Sequence, residues 1–154
     1  MAIKLYWWQG NRNGKNFGDE LSRYTVEYAS GNEVEWGSVE KCDLFAIGSV
    51  FEQASHSMAD GENRRSLFIW GSGMMQPAGL GGHTKYMKIS AVRGPLTLSA
   101  LHQRQIGLAV GDPGILIDRV FDVSRATPKY SVGLIPHHRH TPSSLTIHHR
   151  SSTS

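Results

Sequence analysis

Apolar runs that stop on glycine recur along this chain of 154 residues and alternate with segments of helical period. Ile3–Trp8, Asp43–Gly48, Ser66–Trp70, Tyr86–Val92 and Gly107–Val110 read as strands, while Val34–Val39 is short and ambiguous. Phe17–Ala29 carries apolar side chains near helical spacing until Ser30-Gly31-Asn32 stops it. Further helices are predicted from Ser49, over Leu96–Gln105 behind Gly94-Pro95, and over Ile115–Phe121, with Tyr130–Ile135 as a sixth strand. Such alternation predicts an α/β domain with a mostly parallel sheet and helices on both faces. The glycine turns after the first, second, third and fifth strands should then share the carboxyl edge, where ligands of such sheets bind.

The first of these turns is the most telling. Asn16-Phe17-Gly18-Asp19-Glu20-Leu21 follows a strand-like run and opens a helix, whose first N–H groups point at whatever binds there. It is neither a G-x-G-x-x-G fingerprint nor a Walker loop. Asp19 and Glu20 fall in the first helical turn, where negative charge also suits the helix dipole.

Charge is unevenly spread. The formal net charge is +3, yet residues 1–124 hold twelve basic and thirteen acidic side chains, and the basic excess lies from Arg125 onward. Four cations diluted over that last stretch do not make a nucleic-acid footprint. No apolar run nears the roughly 20 residues of a membrane helix. The single cysteine, Cys42, reads as a small buried hydrophobe and fits a reducing cytoplasm. Residues 139–154 are dominated by Ser, Thr and His and are expected to be a disordered tail. Its histidines, with His137 and His138, have no Cys or carboxylate nearby, so no metal site is expected.

Several short motifs, taken together, resemble the polysaccharide pyruvyl transferases of exopolysaccharide synthesis. Asn16–Leu21 is similar to their N-F-G-D-E/D-L turn, and Ala46-Ile47-Gly48-Ser49-Val50 and Trp70-Gly71-Ser72-Gly73 to two glycine-ended strands. Ala91-Val92-Arg93-Gly94-Pro95-Leu96-Thr97 resembles their arginine-bearing strand-to-helix turn; Gly111-Asp112-Pro113-Gly114 and Gly133-Leu134-Ile135-Pro136-His137 follow in the family's order.

The resemblance implies a Rossmann-like domain over residues 1–138, similar to one half of a GT-B-like two-domain enzyme. The family's second half has no counterpart here, so the chain is expected to be a truncated or frameshifted version of a protein about twice as long. The implied reaction moves the enolpyruvyl unit of phosphoenolpyruvate, a co-substrate and not a cofactor, onto two hydroxyls of a lipid-linked or oligosaccharide acceptor. Such chemistry needs cations for the donor, an acid for its methylene carbon and a base for the acceptor hydroxyl. Arg93 is the candidate for the donor's anions, with Gly71, Ser72 and Gly73 lining the same turn. Asn16, Gly18, Asp19, Gly48 and Ser49 are the candidates on the acceptor side. Asp19, Glu20 and His137 are the candidate acid–base groups, and Asp112 is expected to order its own turn. Two alternatives stay open: a non-catalytic sugar-binding remnant, or half of a GT-B glycosyltransferase.

Overall fold

The computed structural model describes residues 2–10, 15–57, 66–76, 84, 86–101, 107–122, 124, 127 and 129–131. Among the described residues six strands form one sheet: β1 (Ile3–Tyr6), β2 (Val34–Trp36), β3 (Leu44–Phe45), β4 (Leu67–Ser72), β5 (Met87–Val92) and β6 (Ala109–Val110). The described helices that connect or follow them are α1 (Phe17–Ser30), α2 (Phe51–Ser57), α3 (Pro95–Ala100) and α4 (Ile117–Val120), the last preceded by a 3-10 turn over Pro113–Leu116. Every pairing among the described strands is parallel.

Strand order is β2-β1-β3-β4-β5-β6. The chain moves one way from β1 to β2, then crosses back to lay β3 on the other side of β1. That reversal is a topological switch point between β1 and β3, and in open sheets of this kind ligands bind outside the carboxyl ends of such strands. Side chains alternate across the strands and split the core in two. On one face Val26 of α1 packs with Leu5, Trp7, Val34 and Ala46. On the other, Phe51 and Ala54 of α2 pack with Tyr6, Phe45, Leu67 and Ile69.

α1 begins and ends for local reasons. Asn16 adopts extended backbone and its side-chain oxygen accepts from the Asp19 N–H at 3.2 Å, a cap worth about 1 kcal/mol. Gly31, at φ 65°, closes the helix by donating its N–H to the Glu27 carbonyl. Asp112 likewise caps the 3-10 turn, accepting from the Gly114 N–H at 2.8 Å.

Several boundaries differ from the sequence reading. Val34–Trp36 is a strand, held at the sheet edge by its ladder to β1. β1 stops at Tyr6, short of Trp8, and β5 starts at Met87, after Tyr86. β4 runs on through Gly71 to Ser72 instead of ending at Trp70, with its register to β5 shifting on either side of Trp70. Gly71 manages this at φ 77°, where an added Cβ would fall on Pro113 Cδ and 2.8 Å from the Gly111 carbonyl oxygen. The single helix expected over Ile115–Phe121 is instead the 3-10 turn followed by α4, since Pro113 opens the turn.

The compact unit spans Met1–Val123, and Ser124–Ser154 form a second unit in which Lys129 Nζ lies 5.5 Å from the Tyr130 ring centre. Tyr130 and Ser131 are not in a strand; residues 132–135, the Gly133–His137 motif and the tail lie outside the described residues. So do residues 61–65 and 77–82 of the expected loops and 102–105 of the expected third helix. No helix among the described residues is long and apolar enough to cross a membrane.

Two phenylalanines on neighbouring strands test the layering. Phe45 is fully buried and Phe68 is 45% exposed. In urea unfolding, Phe45→Ala should cost about 3–5 kcal/mol, and Phe68→Ala less than about 1 kcal/mol.

Candidate functional site

At the carboxyl rim two strand tips meet the elements that reach over them. The Gly73 N–H donates to the Gly48 carbonyl at 2.9 Å, and the buried Ser72 hydroxyl reaches the same oxygen at 3.2 Å. Gly73 in turn accepts from the first N–H of α2, that of Phe51, at 3.1 Å. The ends of β3 and β4 are therefore one hydrogen-bonded platform.

Asp19 reaches this platform from α1. Ser22, one turn further on and fully buried, accepts from the Ile47 N–H at 3.0 Å and pins the helix to the end of β3. Asp19 then lies on Gly48, whose added Cβ would fall on the carboxylate. Gly48 has φ 101°, so backbone and space both require glycine. Arg93 comes from the other side. Its N–H donates to the Ser72 carbonyl at 3.1 Å, and its guanidinium lies along Gly73, where a Cβ would stand 2.6 Å from Nε.

The two charges sense each other without pairing. Burial pushes the Asp19 carboxyl above its ordinary range; Arg93 pulls it back in part, and Glu20 adds to the rise. Among the described residues neither the Asp19 carboxylate nor the Arg93 guanidinium has a hydrogen-bond or ion-pair partner. Below them Tyr6 keeps its phenol proton further up the pH scale, through burial first and then the neighbouring Cys42, Asp19 and Glu40.

Glu20 is differently placed. One of its oxygens accepts from Trp7 Nε1 at 3.2 Å and the other meets Lys15 Nζ at 3.5 Å. Asn16 and Gly18 form the cap beside Asp19, and an added Cβ on Gly18 would stand 3.3 Å from Asn16 Oδ1. Gly71 and Ser72 are built into β4 beneath the platform, Ser49 follows Gly48 half-buried, and His137 lies outside the described residues. The rim thus gathers Asn16, Gly18, Asp19, Glu20, Gly48, Ser49, Gly71, Ser72, Gly73 and Arg93.

Residues the sequence did not single out hold the rest in place. Ser22 sits three positions after Asp19, on the same helix face, a spacing that could have flagged it. Trp7 reads only as strand, and nothing in its spacing announces the bond to Glu20. Thr97 of α3, buried, accepts from the Met74 N–H at 3.4 Å and ties α3 to the loop after β4.

A separate groove of about 560 Å³ opens on the α1 side, at the amino end of the sheet, between Ile3, Val26, Leu44, Phe68 and Trp70. Its walls are mostly apolar, with Ser30, Asp43 and Ser90 among them. At the rim stand a carboxylate and a guanidinium that have no hydrogen-bond or ion-pair partner among the described residues.

Fold and site define a generic Rossmann-like parallel α/β domain with Asp19 and Arg93 at the carboxyl rim beside its switch point. No family model, no curated protein and no solved structure matches the chain.

The raised Asp19 carboxyl has a stability consequence. A group that binds its proton more tightly folded than unfolded contributes stability below its unfolded value, and that contribution is lost as pH rises through the folded one. Asp19→Asn should therefore be more stable than the parent protein at about pH 7.5, with the gap closing by about pH 4. Urea midpoints at the two pH values check this.

Proposed function

We propose that the chain is a polysaccharide pyruvyl transferase-like domain whose rim holds phosphoenolpyruvate beside a sugar hydroxyl pair. In this reading the sheet is one wall of a GT-B-like two-lobed cleft. The observation that carries it is the Arg93 guanidinium lying on Gly73, without a hydrogen-bond or ion-pair partner among the described residues, with Asp19 across the Gly48–Gly73 platform. A planar cation with uncommitted donors matches a carboxylate or phosphate bidentately.

The reaction adds an acceptor hydroxyl across the donor's carbon–carbon double bond. The hydroxyl oxygen bonds to the central carbon, its proton goes to a base, and the methylene carbon gains a proton to become methyl. Phosphate then leaves with the enol oxygen, and the second hydroxyl closes the ketal with loss of its own proton. Asp19, with its increased proton affinity, is the better base for the first hydroxyl. Glu20, held by Trp7 and Lys15, orients the helix start. Arg93 spreads the negative charge that builds on the departing phosphate.

The order of motifs along the chain supports the same reading, since the turns at Asn16, Gly48, Gly71, Arg93 and Gly111 meet at one rim. Phosphate release from phosphoenolpyruvate should require an added oligosaccharide acceptor. Arg93→Ala should lower the catalytic efficiency by about 10- to 100-fold, and Arg93→Lys should retain part of it. Sugar binding without phosphate release would mark a non-catalytic binding domain, and competition by a nucleoside diphosphate sugar a glycosyltransferase half.

A further inference from the structure

The face of the sheet that α1 packs on is covered only in part. Strand alternation puts Leu67, Ile69, Met87 and Ile89 on the other face, where they are buried in the core. Phe68, Lys88 and Ser90 point to the α1 side and are exposed, and Trp70 between them in sequence is half-buried. Parallel sheets carry helices over both faces, so the amino half of β4 and β5 lacks a covering helix among the described residues. The groove of about 560 Å³ lies there, walled by Val26, Ala29 and Ser30 of α1 and floored by Leu44, Phe68 and Trp70. Its polar walls are engaged within the protein. Ser90 Oγ donates to the Ile69 carbonyl at 3.1 Å, Asp43 Oδ2 accepts from the Lys4 N–H at 3.3 Å, and Ser30 Oγ accepts from the Asn32 N–H at 3.2 Å. The groove therefore offers hydrocarbon beside one helix, the setting in which a second helix packs. Lys88 Nζ, 5.2 Å from the Phe68 ring centre, suits incoming aromatic rings and repels basic side chains.

The chain itself exposes a helix of that kind. α1 turns Ser22, Thr25 and Val26 inward, while Phe17, Leu21, Tyr24 and Tyr28 fall on a second side at i, i+4, i+7 and i+11. Tyr24 and Tyr28 are 44% and 54% exposed, and the Tyr24 ring centre lies 5.5 Å from that of Phe121, itself exposed. Arg23 and Glu27, which flank the two tyrosines, pair with each other at 3.0 Å and bring no net charge to the stripe. An apolar stripe on a helix that already has a packed face marks a further contact. Tyr24, Tyr28, Phe68 and Phe121 each leave about half of an aromatic side chain uncovered. At roughly 150–250 Å² for a whole side chain they supply roughly 300–500 Å² per copy. That is about half of the roughly 800 Å² each partner gives to a stable interface, before the groove walls are counted.

We propose that a second copy of this chain fills the groove, with Tyr24 and Tyr28 of each copy set against Phe68 and Trp70 of the other. Groove wall and stripe belong to one helix, so a single twofold axis beside α1 satisfies both contacts and closes the assembly at two copies. Tyr28 lies about two and a half turns along α1 from Asp19, and the dimer stands or falls independently of the chemistry proposed at the rim.

Sedimentation equilibrium of the whole chain over a series of concentrations should show a reversible monomer–dimer equilibrium. Tyr28→Ala and Phe68→Ala should each raise the dissociation constant at least about tenfold, with the far-UV circular dichroism unchanged. Two stronger variants test the pairing itself. Tyr28→Arg spoils the stripe and Phe68→Arg blocks the groove, so each alone should be monomeric where the parent chain is dimeric. Mixed together they should form a heterodimer, weaker than the parent's, because one of its two stripe–groove contacts is intact. A parent chain that stays monomeric, a dimer insensitive to either alanine variant, or arginine variants that fail to recombine would each overturn the proposal. A dimer weakened by Tyr28→Ala but not by Phe68→Ala would set stripe against stripe, and overturns it too.

Discussion

The hydrogen bond from the Gly73 N–H to the Gly48 carbonyl sets the geometry of everything above it. It joins two parallel strand tips just past the end of the β3–β4 ladder, and each glycine then carries one charged side chain. Asp19 can lie on Gly48 and Arg93 along Gly73 only because neither position has a Cβ. Fix the two tips and the separation of the charges follows. The same platform accepts Phe51 of α2 and, through Ser72, anchors the Arg93 backbone, so helices and strands from both sides of the switch point converge on it.

Much of this architecture was legible in the chain, and the illegible parts have physical reasons. α1 was readable because its signals are local: Asn16 caps it, Gly31 ends it, and the apolar spacing between is helical. The parallel sheet was readable because strand-like runs, some apolar throughout and β5 alternating, are separated by helical stretches and mostly end near glycine. β2 was not, because an edge strand of three residues with two exposed side chains has no pattern to show. Gly71 looked like a stop and is instead an interior residue of β4, since its φ is set by the approach of Pro113, over 40 positions away in the sequence. Strand order was equally hidden, because nothing local says on which side of β1 the chain will lay β3. The meeting of Asp19 with Arg93 depends on that order. The glycine turns could be assigned to one edge, but not which of them would touch.

Apolar surface is distributed to match. The amino end of the sheet keeps its groove between Phe68 and Trp70. Trp36 and Trp7 each settle their N–H within the protein, one on a carbonyl and one on a carboxylate, and so join the edge strand, the end of β1 and the start of α1.

Among the described residues the Asp19 carboxylate has no hydrogen-bond partner, and a carboxyl that loses water without gaining one is destabilised in its charged form. Arg93 relieves part of that cost from a distance, and this links the two groups. An anion seated on the guanidinium would cancel its pull and raise the proton affinity of Asp19 further. By reciprocity, a proton on Asp19 would tighten the anion. A direct ion pair would have consumed both groups in stabilising the fold. Held apart by two glycines, they keep their charges available, and the proton on one is coupled to whatever binds the other. The proposed acid–base chemistry beside an anionic donor would draw on that coupling.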